Sequence, residues 1–292
     1  MSAGRTMKPL TRGAALALLV FGTIVMAAPL LWMFLVSLHD EAGALRATVT
    51  SDPRRLVPET PQFGNYADAL RRMGSREWFG FLDALSNSIV VTALVTLGTV
   101  LSSSLVAFAM ARIRFRGRSV LFLLMLATMM LPAQATLIPL FLLFRNLGWV
   151  DTILPLVVPA FFGNAFFIFL YRQFIVQIPE ALFEAGRLDG LSWLGLWWRV
   201  VLPLCRPVTA ICVVFTFIYT WNDFLAPLVY LHSDEEATLS VALNSFRNQY
   251  GGVNRLNLLM AASLATMLPC IVLFVAAQRQ FIRGLGAGAV KG

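Results

Sequence analysis

Charge is what this sequence has least of. Only 13% of its 292 residues are Asp, Glu, Lys or Arg, against 58% apolar, and the mean hydropathy is +0.75. Soluble globular proteins carry roughly a quarter charged residues, so too few polar side chains exist to cover water-facing domains. The composition excludes an ordinary soluble enzyme, a disordered chain and a secreted disulfide scaffold. Lysine occurs twice, as Lys8 and Lys291, and neither follows a glycine. A phosphate-binding loop ending in Gly-Lys-Ser/Thr is therefore excluded, and with it ATP hydrolysis by that route. Histidine is confined to His39 and His232, in no HExxH pattern, and Cys205, Cys212 and Cys270 form no CxxC pair. No metal site or nucleophile–base set is expected, which sets an intramembrane enzyme aside. The cysteines read as small apolar packing residues.

What is present is apolar length. Six runs reach the roughly 20 residues that a helix needs to cross a bilayer: Gly13–Leu38, Ala84–Ala111, Ser119–Phe144, Ile153–Val176, Pro203–Asn222 and Leu256–Ala277. The first follows Arg5, Lys8 and Arg12 like a signal peptide, but it outlasts a signal's apolar core of about 7–15 residues. A retained spanning helix is expected. The chain thus reads as an all-α integral membrane protein with six transmembrane helices. Its segments are 1–12, 13–38, an outer stretch 39–83, a core 84–277 and a tail 278–292. In the outer stretch, Tyr66, Leu70, Met73, Trp78 and Phe79 fit either a helix lying on the surface or a packed loop.

The net charge of +8 would suit nucleic acid if the basic residues shared one face of a soluble fold. They flank apolar runs instead, the mark of membrane orientation. With the N-terminus inside, the inner segments hold fourteen basic and three acidic residues, counting Arg172 and Arg206 as helix-end anchors, and the outer ones nine and twelve. Arg112, Arg114, Arg116 and Arg118 form the strongest single anchor. Both termini are expected on the cytoplasmic side, and the lipid bilayer rather than nucleic acid is the expected partner.

One inner loop, 177–202, is long for a connection within a bundle. Pro179 suits a first helical position and Glu180 the positive end of a helix. Ala181, Ala185 and Leu188 fall at i, i+4 and i+7 and form a small, mildly apolar face. Glu184 and Arg187 are spaced to pair. Gly190 suits a left-handed helix end, and Ser192 a cap on a second helix carrying Trp193, Leu196, Trp197 and Val200 at helical spacing. Leu202-Pro203 is expected to turn the chain back into the bilayer. Two readings fit: a surface hairpin that only connects two spans, or a docking element.

The loop resembles the "EAA" loop of ABC-importer permeases, Glu-Ala-Ala-x3-Gly-x9-Ile-x-Leu-Pro. Here it reads Glu184-Ala185-Gly186, three residues, Gly190, nine residues, then Val200-Val201-Leu202-Pro203. It departs at Gly186, where Ala is usual, and at Val200. Glycine is about 1 kcal/mol poorer as a helix former, so a less rigid helix is expected. Trp221-Asn222-Asp223-Phe224-Leu225-Ala226-Pro227-Leu228 is similar to the outer end of the fifth span in the carbohydrate-uptake-1 branch. The ending Gln280 to Gly292 resembles MalG-type subunits, with Gly286 where Thr is common. The resemblance covers Asn87 to Gly292 well and the first 86 residues in outline.

It implies the type I importer permease fold in a bacterial cytoplasmic membrane. It also implies a MalF-like second permease, two ATPase subunits and an extracytoplasmic sugar-binding protein. ATP and Mg would be bound by the ATPase, with no cofactor in this chain. The residues it assigns to ATPase coupling are Glu180, Ala181, Glu184, Ala185, Gly186, Asp189 and Gly190, with Glu184 pairing a basic residue of the ATPase. It places Gly284, Gly286, Gly288 and Lys291 of the tail at the ATPase interface. Gln134, Asn164, Tyr219, Trp221 and Asn222 fit either a sugar path or ordinary helix contacts and interfacial belts. An ion-coupled secondary transporter is the alternative. Such proteins place ionisable residues deep in the membrane, and the six runs carry none away from their ends.

Overall fold

The computed structural model describes residues 9–49, 53–73, 77–250 and 255–289, and among them all regular elements are helical. The chain forms two compact units: Met1–Met73 with Ser245–Thr266, and Gly74–Asn244 with Met267–Gly292.

The first unit begins with α1 (Pro9–Ser37), which is apolar almost all round and leaves Leu18, Leu19, Phe21 and Met26 exposed, as a lipid-facing helix does. Asp40 accepts the Gly43 amide at 2.9 Å and starts α2 (Glu41–Val49). Ala44 and Ala47 of α2 pack on Val36, with Trp32 and Leu56 alongside. The last carbonyls of α1 have no partner within that helix. Asn65, buried on α3 (Gly64–Arg72), donates to the Ser37 and His39 carbonyls, both at 2.8 Å. Among the described residues, the outer stretch between α1 and α4 is thus α2, a 3-10 turn at Pro53–Leu56 and α3, tied to the end of α1. Trp78 and Phe79 belong instead to the next long helix.

The second unit is built on that helix, α4 (Glu77–Arg112). It is followed by α5 (Arg118–Thr128), α6 (Ala133–Asn146), α7 (Leu154–Val157), a 3-10 turn at Val158–Phe162 and α8 (Ala165–Val176). Then come α9 (Glu180–Leu188), α10 (Trp193–Leu196), a π turn at Trp197–Val201, α11 (Leu202–Leu204), α12 (Arg206–Trp221) and α13 (Leu225–Tyr230). Finally α14 (Leu239–Tyr250) and α15 (Leu256–Ala289) contribute residues to both units.

Four of the expected spans are present as long apolar stretches: Ala15–Ser37, Gly80–Arg112, Leu154–Val176 and Leu256–Ala276. The fifth is bent by 82° between Trp193–Leu204 and Arg206–Trp221, so the turn into the bundle falls at Cys205 rather than at Leu202-Pro203. The expected third span, Ser119–Phe144, is not one helix. It is α5 with 11 residues and α6 with 14, broken at Met129–Pro132. Pro132 has no amide hydrogen to continue the ladder and drives Leu131 out of the helical region.

Three consecutive serines of α4 hold its neighbours. Ser102 Oγ donates to the Ala160 carbonyl at 2.9 Å. Ser103 Oγ accepts the Asn164 amide at 3.0 Å, and Ser104 Oγ accepts the Trp197 indole N–H at 3.2 Å. Small residues let helices approach closely and hydroxyls join them across apolar surroundings. Around this seam Phe108, Tyr171, Ile175, Val201, Cys205, Val208 and Cys212 form the buried core. The cysteine packing expected from sequence is seen for Cys205 and Cys212.

At one end of the unit Asp151 ties two connections together. Its backbone has φ +64°, in the left-handed region. Its carboxylate accepts the amides of His232 at 2.9 Å and Ser233 at 2.8 Å, and its own amide donates to the Tyr230 carbonyl at 2.8 Å. The Ser233 and His232 amides hold this carboxyl below its ordinary value.

Two outcomes follow from these contacts. Ser103→Ala strands the Asn164 amide and lowers stability by about 0.5–2 kcal/mol, read as an earlier thermal transition of the detergent-purified complex. A lowered carboxyl pKa contributes stability above the unfolded value of about 3.9, and that contribution is lost as pH falls through the lower folded value. Melting temperature recorded down to about pH 3 therefore falls more steeply for the native chain than for Asp151→Asn.

Candidate functional site

The loop between α8 and α12 is a packed helical hairpin. Pro179, with ψ 137°, is the cap rather than the first residue of α9, which begins at Glu180. The helix ends in a Schellman motif: the Gly190 amide donates to the Arg187 carbonyl and the Leu191 amide to the Gly186 carbonyl, both at 2.9 Å. Gly190 supplies the left-handed residue that this ending needs, with φ +80°. Ser192 Oγ accepts the Gly195 amide at 3.2 Å and starts α10, as expected.

Burial divides α9 into two faces. Phe183 and Gly186, three apart, face inward, and Phe183 stacks on Phe108 of α4 with centroids 6.2 Å apart. A Cβ on Gly186 would lie 2.6 Å from Leu196 Cδ2. The glycine that breaks the usual motif is therefore the point where α9 closes on α10, which gives it a packing role in place of the looseness expected from its helix propensity. Ala181, Glu184, Ala185, Asp189 and Gly190 are exposed, and Leu188 is 90% exposed. Arg187 does not pair with Glu184. Its guanidinium lies 4.3 Å over the Trp193 ring, and Glu184 has no ion-pair partner among the described residues. Glu180 turns back to α4, where Arg112 Nη1 donates to it. The other terminal nitrogen of Arg112 donates to the Ile178 carbonyl and, at 2.7 Å, to that of Ile175.

A second feature is a cavity of about 510 Å³. Its walls carry hydroxyls from Ser88, Thr92 and Thr99 of α4 and from Thr216, Tyr219 and Thr220 of α12. Asn164, Asp223, Thr238 and the rings of Phe166, Phe167 and Phe215 also line it, and apolar residues such as Val91, Val95, Pro155 and Pro159 supply much of the remaining wall. Its size is that of a small-molecule site, and hydroxyl, amide and ring groups together suit a polyhydroxylated guest. Asn164 also caps α8, accepting the amides of Phe166 and Phe167. Asp223 lies past the end of α12; burial raises its carboxyl above the ordinary value, against the lowering effect of the Ala226 and Leu225 amides.

Of the five residues read as a sugar path, only Asn164 and Tyr219 reach this cavity. Trp221 stacks on Phe217 at 5.3 Å and faces a separate, apolar cavity. Asn222 donates to the Ile218 carbonyl at 2.8 Å, and Gln134 is exposed at the start of α6. Sequence reasoning missed Ser88, Thr92, Thr99, Thr216, Thr220, Asp223 and Thr238. A signal existed, because Ser88, Thr92 and Thr99 fall at i, i+4 and i+11, one face of a helix. Of the tail residues, Lys291 lies outside the described residues, and for Gly284, Gly286 and Gly288 only the continuation of α15 is described.

Residues 103–286 match the family described as binding-protein-dependent transport system inner membrane component. The arabinooligosaccharides transport system permease protein AraQ of Halalkalibacterium halodurans is 33% identical over 267 residues, covering 90% of this chain and 91% of that protein. The sn-glycerol-3-phosphate transport system permease protein UgpE of Yersinia pestis is 30% identical over 268 residues, covering 92% and 93%. A chain from the crystal structure of a bacterial ABC transporter involved in the import of the acidic polysaccharide alginate superposes with TM-score 0.78 at 25% identity, covering 96% of this chain and 99% of that one. The architecture is that of a type I ABC-importer permease, and this chain belongs to the family of binding-protein-dependent transport system inner membrane components.

Proposed function

We propose that this chain is the permease subunit of an ATP-driven carbohydrate importer and that α9 is its coupling helix, seated in a cleft of a separate ATPase. The observation that carries this reading is the two-faced character of α9. One face is locked inward by Phe183 and Gly186, and the other presents Ala181, Ala185 and Leu188 beside Glu184, which has no ion-pair partner among the described residues. An apolar tip as open as Leu188 beside a carboxylate suits a partner cleft with a basic residue at its edge. Motion of the ATPases on closing around ATP would then reach the bundle as rigid-body rotation.

In this reading the chain is non-catalytic, and ATP and Mg are held by the ATPase subunits. A MalF-like permease completes the translocation path, and an extracytoplasmic sugar-binding protein delivers the cargo. Both termini lie inside, with the tail toward the ATPase pair. The hydroxyl-lined cavity is this subunit's share of the sugar path. Carbohydrate is the favoured class because arabinooligosaccharide and alginate transport appear among the similar proteins and the cavity walls suit hydroxyl groups.

The test uses Glu184→Arg and Leu188→Asp, both on the exposed face, so the fold is spared. Each reduces the ATPase recovered with the membrane-inserted complex, while the amount of permease in the membrane is unchanged. Recovery and uptake equal to the native complex for both variants overturns the docking role.

A further inference from the structure

We propose that Arg112 is a positioning residue that binds α4, α8 and α9 into one lever, so that displacement of the hairpin is delivered to the cavity wall. This rests on the coupling role proposed for α9. In the sequence Arg112 is one of four arginines in a basic run, and an orientation anchor on the inner side is the expected use of each. The structure gives it another use. Its side chain is only 13% exposed, and its guanidinium meets three acceptors, one on α8, one in the following connection and one on α9.

The geometry accounts for each contact. Arg112 is the last residue of α4. Two of its contacts go to carbonyls at the C-terminal end of α8: Ile175 in its last turn, whose carbonyl also accepts the Ile178 amide at 3.2 Å, and Ile178 just beyond it. A cation there also opposes the negative end of that helix. The third contact is the Glu180 carboxylate in the first turn of α9. The guanidinium plane lies 4.3 Å over the Phe183 ring, on the buried face of α9. One turn back along α4, Phe108 stacks on the same ring and also meets Trp193 at 6.1 Å. Two successive turns of α4 therefore grip the hairpin. The same helix presents Ser88, Thr92 and Thr99 to the cavity, so the gripped end and the cavity wall are parts of a single rod.

Only arginine can make this joint. Its planar fork directs several donors at once and stacks on an aromatic face, whereas lysine offers one flexible point charge. This separates the proposal from an orientation anchor, for which any basic residue serves equally.

The experiment places spin labels at the exposed positions Leu97 of α4 and Leu182 of α9, in a Cys270→Ala background, within the complete importer complex. The distance distribution is recorded with and without Mg-ATP and vanadate. A lever gives one narrow distance in both conditions for native Arg112. Arg112→Lys and Glu180→Gln give distributions broadened or shifted by about 1–2 Å, the scale of helix shifts in switching proteins, while permease abundance in the membrane stays unchanged. A narrow, unshifted distance in Arg112→Lys overturns the proposal, as does movement of α9 against α4 in the native complex. Failure of the coupling role itself is read separately, as native ATPase recovery and uptake in Glu184→Arg and Leu188→Asp. The distance within this chain reports on the lever in either case.

Discussion

Inside a bilayer a polar group has no water to fall back on, and the bundle depends on how α4 answers that constraint. Ser102, Ser103 and Ser104 point in successive directions round the helix, and each hydroxyl bonds a different neighbouring segment. The first meets the carbonyl of the turn before α8, the second the amide that opens α8, the third the indole of the π turn. Larger residues would hold these segments away, and alanines would leave an amide and an indole without acceptors. The close packing of α8 and of the 3-10 turn before it on α4 accompanies this seam.

From the seam the order of events along the chain becomes a mechanical layout. α4 carries hydroxyls along its middle for the cavity and aromatic and guanidinium contacts at its C-terminal end for the hairpin. The hairpin is stiff for identifiable reasons: a glycine-terminated first helix, a serine-capped second, and a glycine contact between them. A connection meant only to return the chain to the bilayer needs none of these. The cost of ordering some 26 residues is set against an exposed face that the chain itself does not use.

The apolar runs were legible to within a few residues because lipid demands length and apolarity, and both are countable. The broken third span was not, because hydropathy sums side chains and is blind to the amide that Pro132 lacks. The hairpin's ends were legible because Gly190 and Ser192 are local devices whose partners lie three to five residues away. Its packing was hidden: the departure at Gly186 looks like a weak helix former until Leu196 is seen against it. Arg187 was spaced for Glu184 but found the Trp193 ring, a partner across a turn that helical spacing does not display. The cavity stripe on α4 was written at helical spacing, yet isolated hydroxyls among apolar residues are ordinary in membrane helices. Two such stripes carry meaning only once α4 and α12 are seen to face each other.

The inward turn of Arg112 has a consequence for how the chain is made. Its partners, the carbonyls near Ile175 and the carboxylate of Glu180, lie more than sixty residues downstream and do not yet exist when α4 is inserted. At that moment the guanidinium is a free charge, and in the proposed orientation it helps the nascent loop stay on the side of the ribosome. Only after two further crossings does that same charge become an internal ligand. Arg112 can therefore serve the chain's topology during synthesis without facing lipid headgroups in the finished subunit.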